Sequence, residues 1–592
     1  MALSDPPPPL GRASILSVIG FTALCGSVSL IYPFGRDQGN YAYAGWVWLD
    51  GGALYRDVFV FKPPMTVAVH SLAMSLFGVN TWAIRVLDIG WTAATALLVA
   101  AIALELWKRR DSAVAAGLTC PFLYYQIDYW TTAQTDGWMT LPSALAVWAV
   151  LRGGRALPVN VRKALAWWTS AGALAGVAVL FKYTAALVGV PMLVAFAWVA
   201  SRQGRRAWLG IAAALVGGLT TLIACWLWLL ATGAWSAFVE SQLELIPEYV
   251  GRRPAGQTPT DLLGRLFTLK RTKTDLLPLF WAGPIGLAPG LLASRPRTRS
   301  DWLAFAIPVT WWLVAASNVV VQGKFFDYHY LPLLAPSSIM AGLGIAALLR
   351  RPLASIHRRE GRALVLTALM AAAIAVTPIG GRFVEIARVA VGGQTIEEYI
   401  ASRREYAFPA YNVRDIRQVS ELLRETTTPE QRVFLWGYEP TINVRARRHT
   451  VSRFLYNFPL RMAVDSSRYE EELIHALSAR PPDVIVVTKG DRFPGLTGTY
   501  KDSTALLAEF DELDAFVKQR YERAETVGRY SLWRRIEPGG QPNVIVITVD
   551  TLRADRLGAY GHASARTPHV DALAASGATF TNAFAPMGRT TP

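Results

Sequence analysis

The chain has 592 residues, of which 52% are hydrophobic and 17% are charged, and its mean hydropathy is +0.27. This composition excludes a single soluble globule and favours a membrane part followed by soluble domains, because only the last third of the sequence has ordinary polarity. The net charge of +16 does not indicate a nucleic-acid-binding protein, since the basic residues lie in short clusters between apolar segments.

Apolar segments long enough to cross a bilayer follow one another before about residue 380. A hydrocarbon core of roughly 30 Å requires about 20 apolar residues per helix, which predicts about eleven spans. The predicted spans lie near residues 13–34, 82–107, 112–129, 137–151, 164–181, 184–201, 207–232, 276–294, 302–320, 330–349 and 363–379. Residues 1–379 are therefore predicted to form a mainly α, polytopic membrane domain.

Basic clusters occupy alternate loops between these spans. They lie at residues 108–110, 152–163, 202–206, 295–299 and 350–362. Because positive charge accumulates in cytoplasmic loops, these loops and the N-terminus are predicted to be cytoplasmic. Everything after the last span is then predicted to be extracytoplasmic. Cys25, Cys120 and Cys225 all lie in apolar stretches, which indicates small core residues rather than a disulfide or metal framework.

After the last span the pattern changes to short apolar strands between charged helical stretches. Val433 to Trp436 and Val484 to Val487 are predicted strands, and Tyr469 to Ala479 is a predicted helix. Residues 380–537 are therefore expected to form a small extracytoplasmic α/β domain. A Pro-Gly-Gly-Gln-Pro linker at 538–542 follows, and a buried strand at 544–549 is predicted to begin a further unit over residues 543–592.

The segment from Arg36 to Arg85 places charges and aromatic residues between two predicted spans. Asp37 follows the first span directly and is expected at the outer rim of the membrane, where its carboxylate can act as a general base. Lys62, before the Pro63-Pro64 turn, and Arg85, at the head of the next helix, can neutralise a departing phosphate. Charged residues at helix ends also serve simply to anchor a helix at the interface.

Several residues recur in a set order along this segment. They are Asp37 with Tyr41, Gly51-Gly52 with Tyr55 and Asp57, Lys62-Pro63-Pro64, Phe77-Gly78 and Arg85. This order resembles the first outer loop of the GT-C glycosyltransferases, in particular the bacterial members related to the protein mannosyltransferases and the aminoarabinose transferases of family 39.

The resemblance implies a GT-C fold in a bacterial cytoplasmic (inner) membrane and transfer of a sugar from a polyprenyl-phosphate donor. It implies Asp37 as the base and Tyr41, Asp57, Lys62 and Arg85 as substrate-binding residues. Gln38 stands where members often carry a second acid, so no cation requirement follows from this loop.

Two later outer loops add candidate residues. Asp136 follows Trp130 and Gln134, a mixture that suits stacking and hydrogen bonding to a sugar but equally an aromatic belt at the interface. Lys182, between two spans, is predicted to snorkel, with a phosphate contact as the alternative. The family has a comparable stretch to Gln322–Pro332, so Lys324, Asp327, Tyr328 and His329 are expected to complete the carrier-phosphate end of the site; a solvated interfacial loop is the alternative.

The last fifty residues carry a second resemblance. The residues concerned are Asp550 with the Leu-Arg-Ala-Asp that follows Thr551, Gly558-Ala-Tyr-Gly, Thr567-Pro568, Asp571 with Leu573, and Phe580-Thr-Asn-Ala-Phe. They resemble the N-terminus of sulfatases and related alkaline-phosphatase-like enzymes.

The resemblance implies Asp550 as a ligand of calcium or magnesium and Thr590 as the nucleophile. A cation of this kind needs about six oxygens, so it is expected only in a complete domain, and the unit as given is expected to be an inactive, truncated fragment.

Three functions are compatible with the sequence. The first is a membrane glycosyltransferase that uses a polyprenyl-phosphate-linked sugar, membrane lipids and an extracytoplasmic acceptor, which is a lipid, glycan or protein. The second is a membrane-anchored sulfatase-like hydrolase or phosphoethanolamine-type transferase. The third is a transporter or flippase for the lipid carrier. The Lys62-Pro63-Pro64 context favours the transferase, by resemblance alone.

Overall fold

A computed structural model describes most of the chain. The described residues are 7–127, 130–247, 264, 266, 276–396, 398–399, 411–462, 466–497, 499–536, 547, 549 and 551–583. They form two compact units, residues 1–535 and residues 536–592. The first unit is mainly helical and contains a four-stranded sheet near its C-terminal end.

A helix lies at each place where a span was predicted. These helices are α1 (Arg12–Ser27), α4 (Ala83–Trp107), α5 (Arg110–Tyr125), α7 (Thr140–Ala156), α8 (Val161–Val179), α9 (Gly189–Gln203), α10 (Leu209–Ala231), α12 (Leu277–Ser294), α13 (Arg299–Gln322), α14 (Leu334–Leu348) and α16 (Arg359–Ile374). Short 3₁₀ turns at Tyr183–Val188, Arg205–Trp208 and Asp327–Leu333 lead into α9, α10 and α14.

Within the described residues, six helices are long and apolar enough to cross a membrane. A seventh is possible if α16 and α17 (Pro378–Ala390), which meet at 71°, form one broken span. Two further apolar helices, Arg12–Ser27 with 16 residues and Pro64–Phe77 with 14 residues, are shorter than the bilayer requires. The chain is therefore a multi-pass membrane protein, while the count of eleven spans stays a prediction.

The predicted first outer loop contains two helices, α2 (Arg36–Leu49) and α3 (Pro64–Phe77). Pro64 occupies the first turn of α3, where a missing backbone N–H costs nothing, and Gly78 ends the helix with a φ of 80°. α2 packs against α3 along a short contact at Gly45, where a Cβ would come within 3.0 Å of the Ser71 backbone nitrogen. The two helices hold the intervening residues 50–63 in a fixed path.

The region after α17 contains the predicted α/β domain. The strands are β1 (Val433–Trp436), β2 (Val484–Thr488), β3 (Tyr521–Val527) and β4 (Tyr530–Arg535), in the sheet order β1-β2-β4-β3. β1 and β2 are parallel and the other pairs are antiparallel, with Val433 opposite Val484. The helices are α18 (Val413–Thr426), α19 (Thr441–Ala446), α20 (Phe458–Met462), α21 (Ser467–Ala479), α22 (Pro494–Thr497), α23 (Ser503–Glu509) and α24 (Asp511–Arg520). Both predicted strands and the predicted helix are confirmed.

The α/β domain packs directly on α2 and on the segment that follows it. Gly39 of α2 meets α19 so closely that an added Cβ would overlap the Thr441 hydroxyl and lie 3.0 Å from its backbone nitrogen. The Phe59 N–H donates to the Arg453 carbonyl at 2.8 Å, which ties the segment after α2 to the domain. Apolar side chains from both parts share one core. The boundary at residues 379 and 380 stays a prediction.

Among its described residues the second unit contains one α-helix, α25 (Pro568–Ser576). The Asp571 carboxylate accepts hydrogen bonds from the Ala559 N–H at 2.7 Å and the Thr567 hydroxyl at 3.0 Å, which close a compact turn. Residues 544–546 and 548 of the predicted strand, and the whole predicted linker at 538–542, lie outside the described residues.

Candidate functional site

A cavity of about 240 Å³ lies where α2 meets the membrane helices and the α/β domain. Its polar lining consists of Asp37, Asn40, Tyr41, Lys62, Lys182, Thr184, Gln322, Lys324, Tyr328 and His329. Its aromatic lining consists of Phe61, Tyr183, Tyr438, Tyr456 and Phe458. The structure therefore brings six of the predicted residues together, namely Asp37, Tyr41, Lys62, Lys324, Tyr328 and His329, while Asp327 is not among the lining residues.

Asp37 lies in the first turn of α2 and is half-buried in the cavity wall. Burial raises the pKa of its carboxyl group, because the charged form loses water. The positive charges of Lys62, Arg36 and Lys182 and a hydrogen bond from the Tyr328 hydroxyl oppose this shift. A carboxylate with a raised pKa is a stronger base than an exposed one.

The side chain of Gln38, next to Asp37, points into the protein and not into the cavity. Its Oε1 accepts hydrogen bonds from the Gly35 N–H at 2.7 Å and from Arg85 at 2.9 Å, and its Nε2 donates to the Thr132 carbonyl at 2.5 Å. Arg85, which is fully buried, also donates to the Thr132 hydroxyl at 3.0 Å. Arg85 is thus not brought to the cavity, and it fixes the N-terminus of α2 instead.

The other flank of Asp37 is fixed by the α/β domain. The buried Arg36 guanidinium lies 2.5 Å from the buried Glu439 carboxylate. It also lies over the ring of Phe493 at 4.3 Å and that of Tyr438 at 5.2 Å. This buried Arg36–Glu439 ion pair, together with the aromatic rings around the guanidinium, holds α2 against the domain.

Lys62 and Asp57 end up in different surroundings. The Lys62 carbonyl accepts a hydrogen bond from the buried Tyr55 hydroxyl at 2.8 Å, while the side chain faces the cavity. The Lys62 ammonium has no hydrogen bond or ion pair within the described residues. Asp57 lies outside the cavity lining, where its hydrogen bonds with Arg56 lower the pKa of its carboxyl group and it accepts from the Ala53 N–H at 2.8 Å.

Lys182 does not snorkel. Its ammonium donates to both oxygens of Asp136, at 2.8 and 2.9 Å, and to Gln322 at 2.5 Å. Burial lowers the pKa of Lys182 to about 8, and the Asp136 charge opposes the shift. The prediction of snorkelling is wrong because Asp136, fully buried behind the cavity wall, supplies a bidentate partner. Asp136 reaches the cavity only through Lys182.

The stretch before α14 supplies the opposite polar wall. Lys324, Tyr328 and His329 all face the cavity, and the last two are largely buried. The Tyr328 and His329 rings meet edge to face at 4.8 Å, and the Lys182 ammonium lies 5.9 Å from the Tyr328 centroid. The interpretation of a solvated loop does not fit these buried side chains.

The α/β domain contributes an aromatic wall that sequence reasoning missed. Tyr456 and Phe458 stack at 6.0 Å with 24° between their planes, and Tyr438 meets them edge to face at 5.3 and 5.0 Å. The Asn40 amide donates to the Tyr456 hydroxyl at 2.9 Å. These residues lie some 400 positions after Asn40 in the chain, so no local pattern connects them. Gln322 was likewise named only as the start of a loop.

The predicted sites of the second unit are not described by the structure. Asp550 and Thr590 both lie outside the described residues. No group of three or more His, Cys, Asp or Glu side chains that could hold a metal ion occurs among the residues that the structure does describe. The proposed cation ligand and nucleophile therefore stay predictions.

The membrane part is similar to known lipid-dependent glycosyltransferases. Residues 61–230 match the family model described as dolichyl-phosphate-mannose-protein mannosyltransferase. The chain is 26% identical over 328 residues to the undecaprenyl phosphate-alpha-4-amino-4-deoxy-L-arabinose arabinosyl transferase of Pseudomonas aeruginosa strain LESB58, covering 53% of this chain and 56% of that protein. The chain thus spans about half the length of that relative. The resemblance to GT-C transferases of the family 39 type is confirmed.

A solved structure shares the fold over nearly the whole first unit. The crystal structure of ArnT from Cupriavidus metallidurans bound to undecaprenyl phosphate superposes with a TM-score of 0.53 at 15% identity, covering 88% of this chain and 98% of that one. At this identity the likeness concerns the fold.

The C-terminal segment has a different set of relatives. Residues 542–592 match the sulfatase family model. They include a 51-residue stretch 45% identical to human arylsulfatase A, which covers 9% of this chain and 10% of that enzyme. The predicted resemblance of this segment to sulfatases is confirmed for these residues alone.

Proposed function

We propose that this GT-C-type membrane protein transfers a glycosyl group from a polyprenyl-phosphate carrier to an acceptor on the extracytoplasmic side of a bacterial inner membrane. The observation that carries the proposal is the shared cavity: the Asp37 carboxylate and three lysines, Lys62, Lys182 and Lys324, line a space of about 240 Å³. The carboxylate can accept a proton, and the lysine ammonium groups can bind a phosphate. The lipid phosphates named for the relatives described above support this substrate class.

The reaction needs one bond made and one broken. The acceptor's hydroxyl oxygen attacks the anomeric carbon while its proton passes to Asp37, and the bond between that carbon and the phosphate oxygen breaks. The carrier leaves as a phosphate monoester with one more negative charge than the diester. Lys62 and Lys324 stabilise that charge as it develops, because cations in a partly dehydrated cavity act more strongly than in water.

The remaining predicted residues fall into two groups. Tyr41 and His329 line the cavity and are proposed to contact the substrate. Arg85 and Asp136 do not reach it, and we propose that they position Asp37 and Lys182 respectively. Asp57 is proposed to close the turn after α2 through its bond to the Ala53 N–H.

Replacement of the base tests the proposal. Asp37→Asn keeps the size of the side chain but cannot accept the proton, so transfer should fall by about 10²- to 10⁴-fold. The assay is the transfer of radiolabel from lipid-linked sugars in membranes that contain the protein. Asp514→Asn, which removes a carboxylate paired with Lys518 on the domain surface, is the matched control. Undiminished transfer by Asp37→Asn would refute the base assignment.

The orientation can be tested independently of the chemistry. Single cysteines placed at the exposed positions Asp50 and Arg56 should react with a membrane-impermeant maleimide added outside the membrane. Cysteines in the basic loop 202–206 should react only after permeabilisation. The opposite pattern would put the site in the cytosol and rule out an extracytoplasmic acceptor.

The match of residues 542–592 to sulfatases favours a second candidate activity, hydrolysis or transfer at a sulfate or phosphate ester. Asp550 would ligate a divalent cation and Thr590 would act as nucleophile. Release of p-nitrophenol from p-nitrophenyl sulfate or phosphate that depends on added Ca²⁺ or Mg²⁺ and disappears in Asp550→Asn would support this activity. No release from either substrate with these cations present would contradict it.

A further inference from the structure

Asn40 lies one helical turn after Asp37, on the face of α2 that lines the cavity. Its side chain is only 7% exposed. The amide nitrogen donates to the Tyr456 hydroxyl at 2.9 Å. The amide oxygen is buried without a hydrogen-bond partner in the described part of the chain. One end of this amide is therefore held by the α/β domain and the other end is unused.

The bond to Tyr456 orients the amide, with its nitrogen toward the hydroxyl and its oxygen on the other side. A buried amide oxygen without a partner has lost its hydrogen bonds to water and gained none in the protein. A ligand hydroxyl that donates to this oxygen would recover that loss.

The walls around Asn40 indicate what that ligand group belongs to. Lys62 and Lys324 lie on the polar wall, and the rings of Tyr438, Tyr456 and Phe458 form the facing wall. Flat aromatic faces suit the C–H face of a sugar ring, while a lone amide suits a hydroxyl. A phosphate would lie beside the lysines. Asn40 therefore lies where the sugar, and not the carrier phosphate, would bind.

We infer that the free end of the Asn40 amide hydrogen-bonds to a hydroxyl of the glycosyl group being transferred, with the ring packed on the aromatic wall of the α/β domain. This inference rests on the proposed function and assigns the recognition of the sugar to α2 and the α/β domain jointly. Lys62 and Lys324 recognise the carrier phosphate, whichever sugar it bears.

Equilibrium binding to the full chain in nanodiscs separates the two kinds of recognition. The probes are undecaprenyl phosphate alone and undecaprenyl phosphate carrying glucose, mannose or arabinose. The wild-type protein should bind at least one glycosylated probe more tightly than the bare carrier. Asn40→Ala should reduce that advantage about tenfold while leaving the affinity for the bare carrier unchanged. Asn160→Ala, at the N-cap of α8, is the control, with both affinities kept.

A second variant keeps the test informative if Asn40→Ala folds poorly. Tyr456→Phe removes only the hydroxyl that orients the amide, so it should reduce the same advantage by a smaller factor, with Tyr500→Phe on the exposed surface as its control. Equal losses for bare and glycosylated carriers, or no loss at all, would overturn the inference. A wild-type protein that binds none of the four probes would instead defeat the proposed function itself.

Discussion

The buried Arg36–Glu439 pair connects the helix that carries Asp37 to the α/β domain, and its disruption has a calculable cost. Both side chains are at most 3% exposed, and the two charges lie 2.5 Å apart. Removing one partner of a buried pair leaves the other charge dehydrated and uncompensated, which costs about 3–5 kcal/mol. Glu439→Ala should therefore destabilise the protein by this amount. Glu439→Gln, which keeps an oxygen acceptor for the guanidinium, should cost less.

A double replacement distinguishes the destabilisation caused by an unpaired buried charge from the net stabilisation contributed by the ion pair. Arg36→Met combined with Glu439→Leu fills the same space without charge, so it should be much more stable than Glu439→Ala. Glu421→Ala is the matched control, because the Arg417–Glu421 pair is an exposed i,i+4 pair with 37% and 49% exposed side chains. A pair of that kind contributes about 0.3–0.5 kcal/mol.

Thermal unfolding in one detergent, followed by tryptophan fluorescence, measures the order of the variants. A loss of 3–5 kcal/mol corresponds to roughly 6–20 °C in a domain of 150–250 residues, about the size predicted for the α/β domain. Glu439→Ala should have the lowest Tm, with Glu439→Gln above it and Glu421→Ala close to the wild type. If Glu439→Ala has the same Tm as Glu421→Ala, the Arg36–Glu439 pair does not hold α2 and the reasoning is refuted.

Two further predictions follow from the site. The transfer rate should fall on the acid side as Asp37 takes up a proton, and this should occur above the usual carboxyl range because the pKa of Asp37 is raised. The rate should also fall on the alkaline side near pH 8, where Lys182 loses its proton. Lys182→Arg should move only the alkaline limb to higher pH in initial-rate profiles, and an unmoved limb would contradict this assignment. Gly39→Ala should lower the Tm because its Cβ overlaps Thr441, whereas Gly20→Ala, with nothing within 4 Å, should leave the Tm unchanged or raise it. Shifts of the same sign in both would contradict the close approach of α2 to the domain.

The helices of the membrane part were predictable because apolarity is a local property. Helices lie at all the places that hydropathy indicated, yet α1 has only 16 residues, so the boundaries and the number of true spans did not follow. The β3–β4 hairpin was not predicted. β3 is exposed along most of its length, so its sequence carries no alternation of apolar and polar residues to mark a strand.

The predicted part of the site came from the resemblance to the GT-C transferases, in the first loop and again at Lys324 and His329. The order of Asp37, Tyr41 and Lys62 along one loop indicated the site, and the structure brings these residues to one cavity. Lys182 was interpreted wrongly because its partner, Asp136, lies 46 positions earlier, and an unpaired lysine between apolar spans has the same local sequence as a paired one. The aromatic wall was missed for the same reason, since contacts over hundreds of residues have no local signature.

The first three residues of α2 show how the side chain of Asp37 is kept facing the cavity by its two neighbours. Neighbouring residues of an α-helix point about 100° apart, so Arg36, Asp37 and Gln38 face three different directions. Arg36 meets Glu439 in the α/β domain, Gln38 meets Arg85 in the membrane part, and Asp37 is left facing the cavity between them. Because both flanking residues are bonded to opposite walls, any rotation of α2 must break one of those bonds. The Asp37 carboxylate therefore keeps its direction toward the cavity.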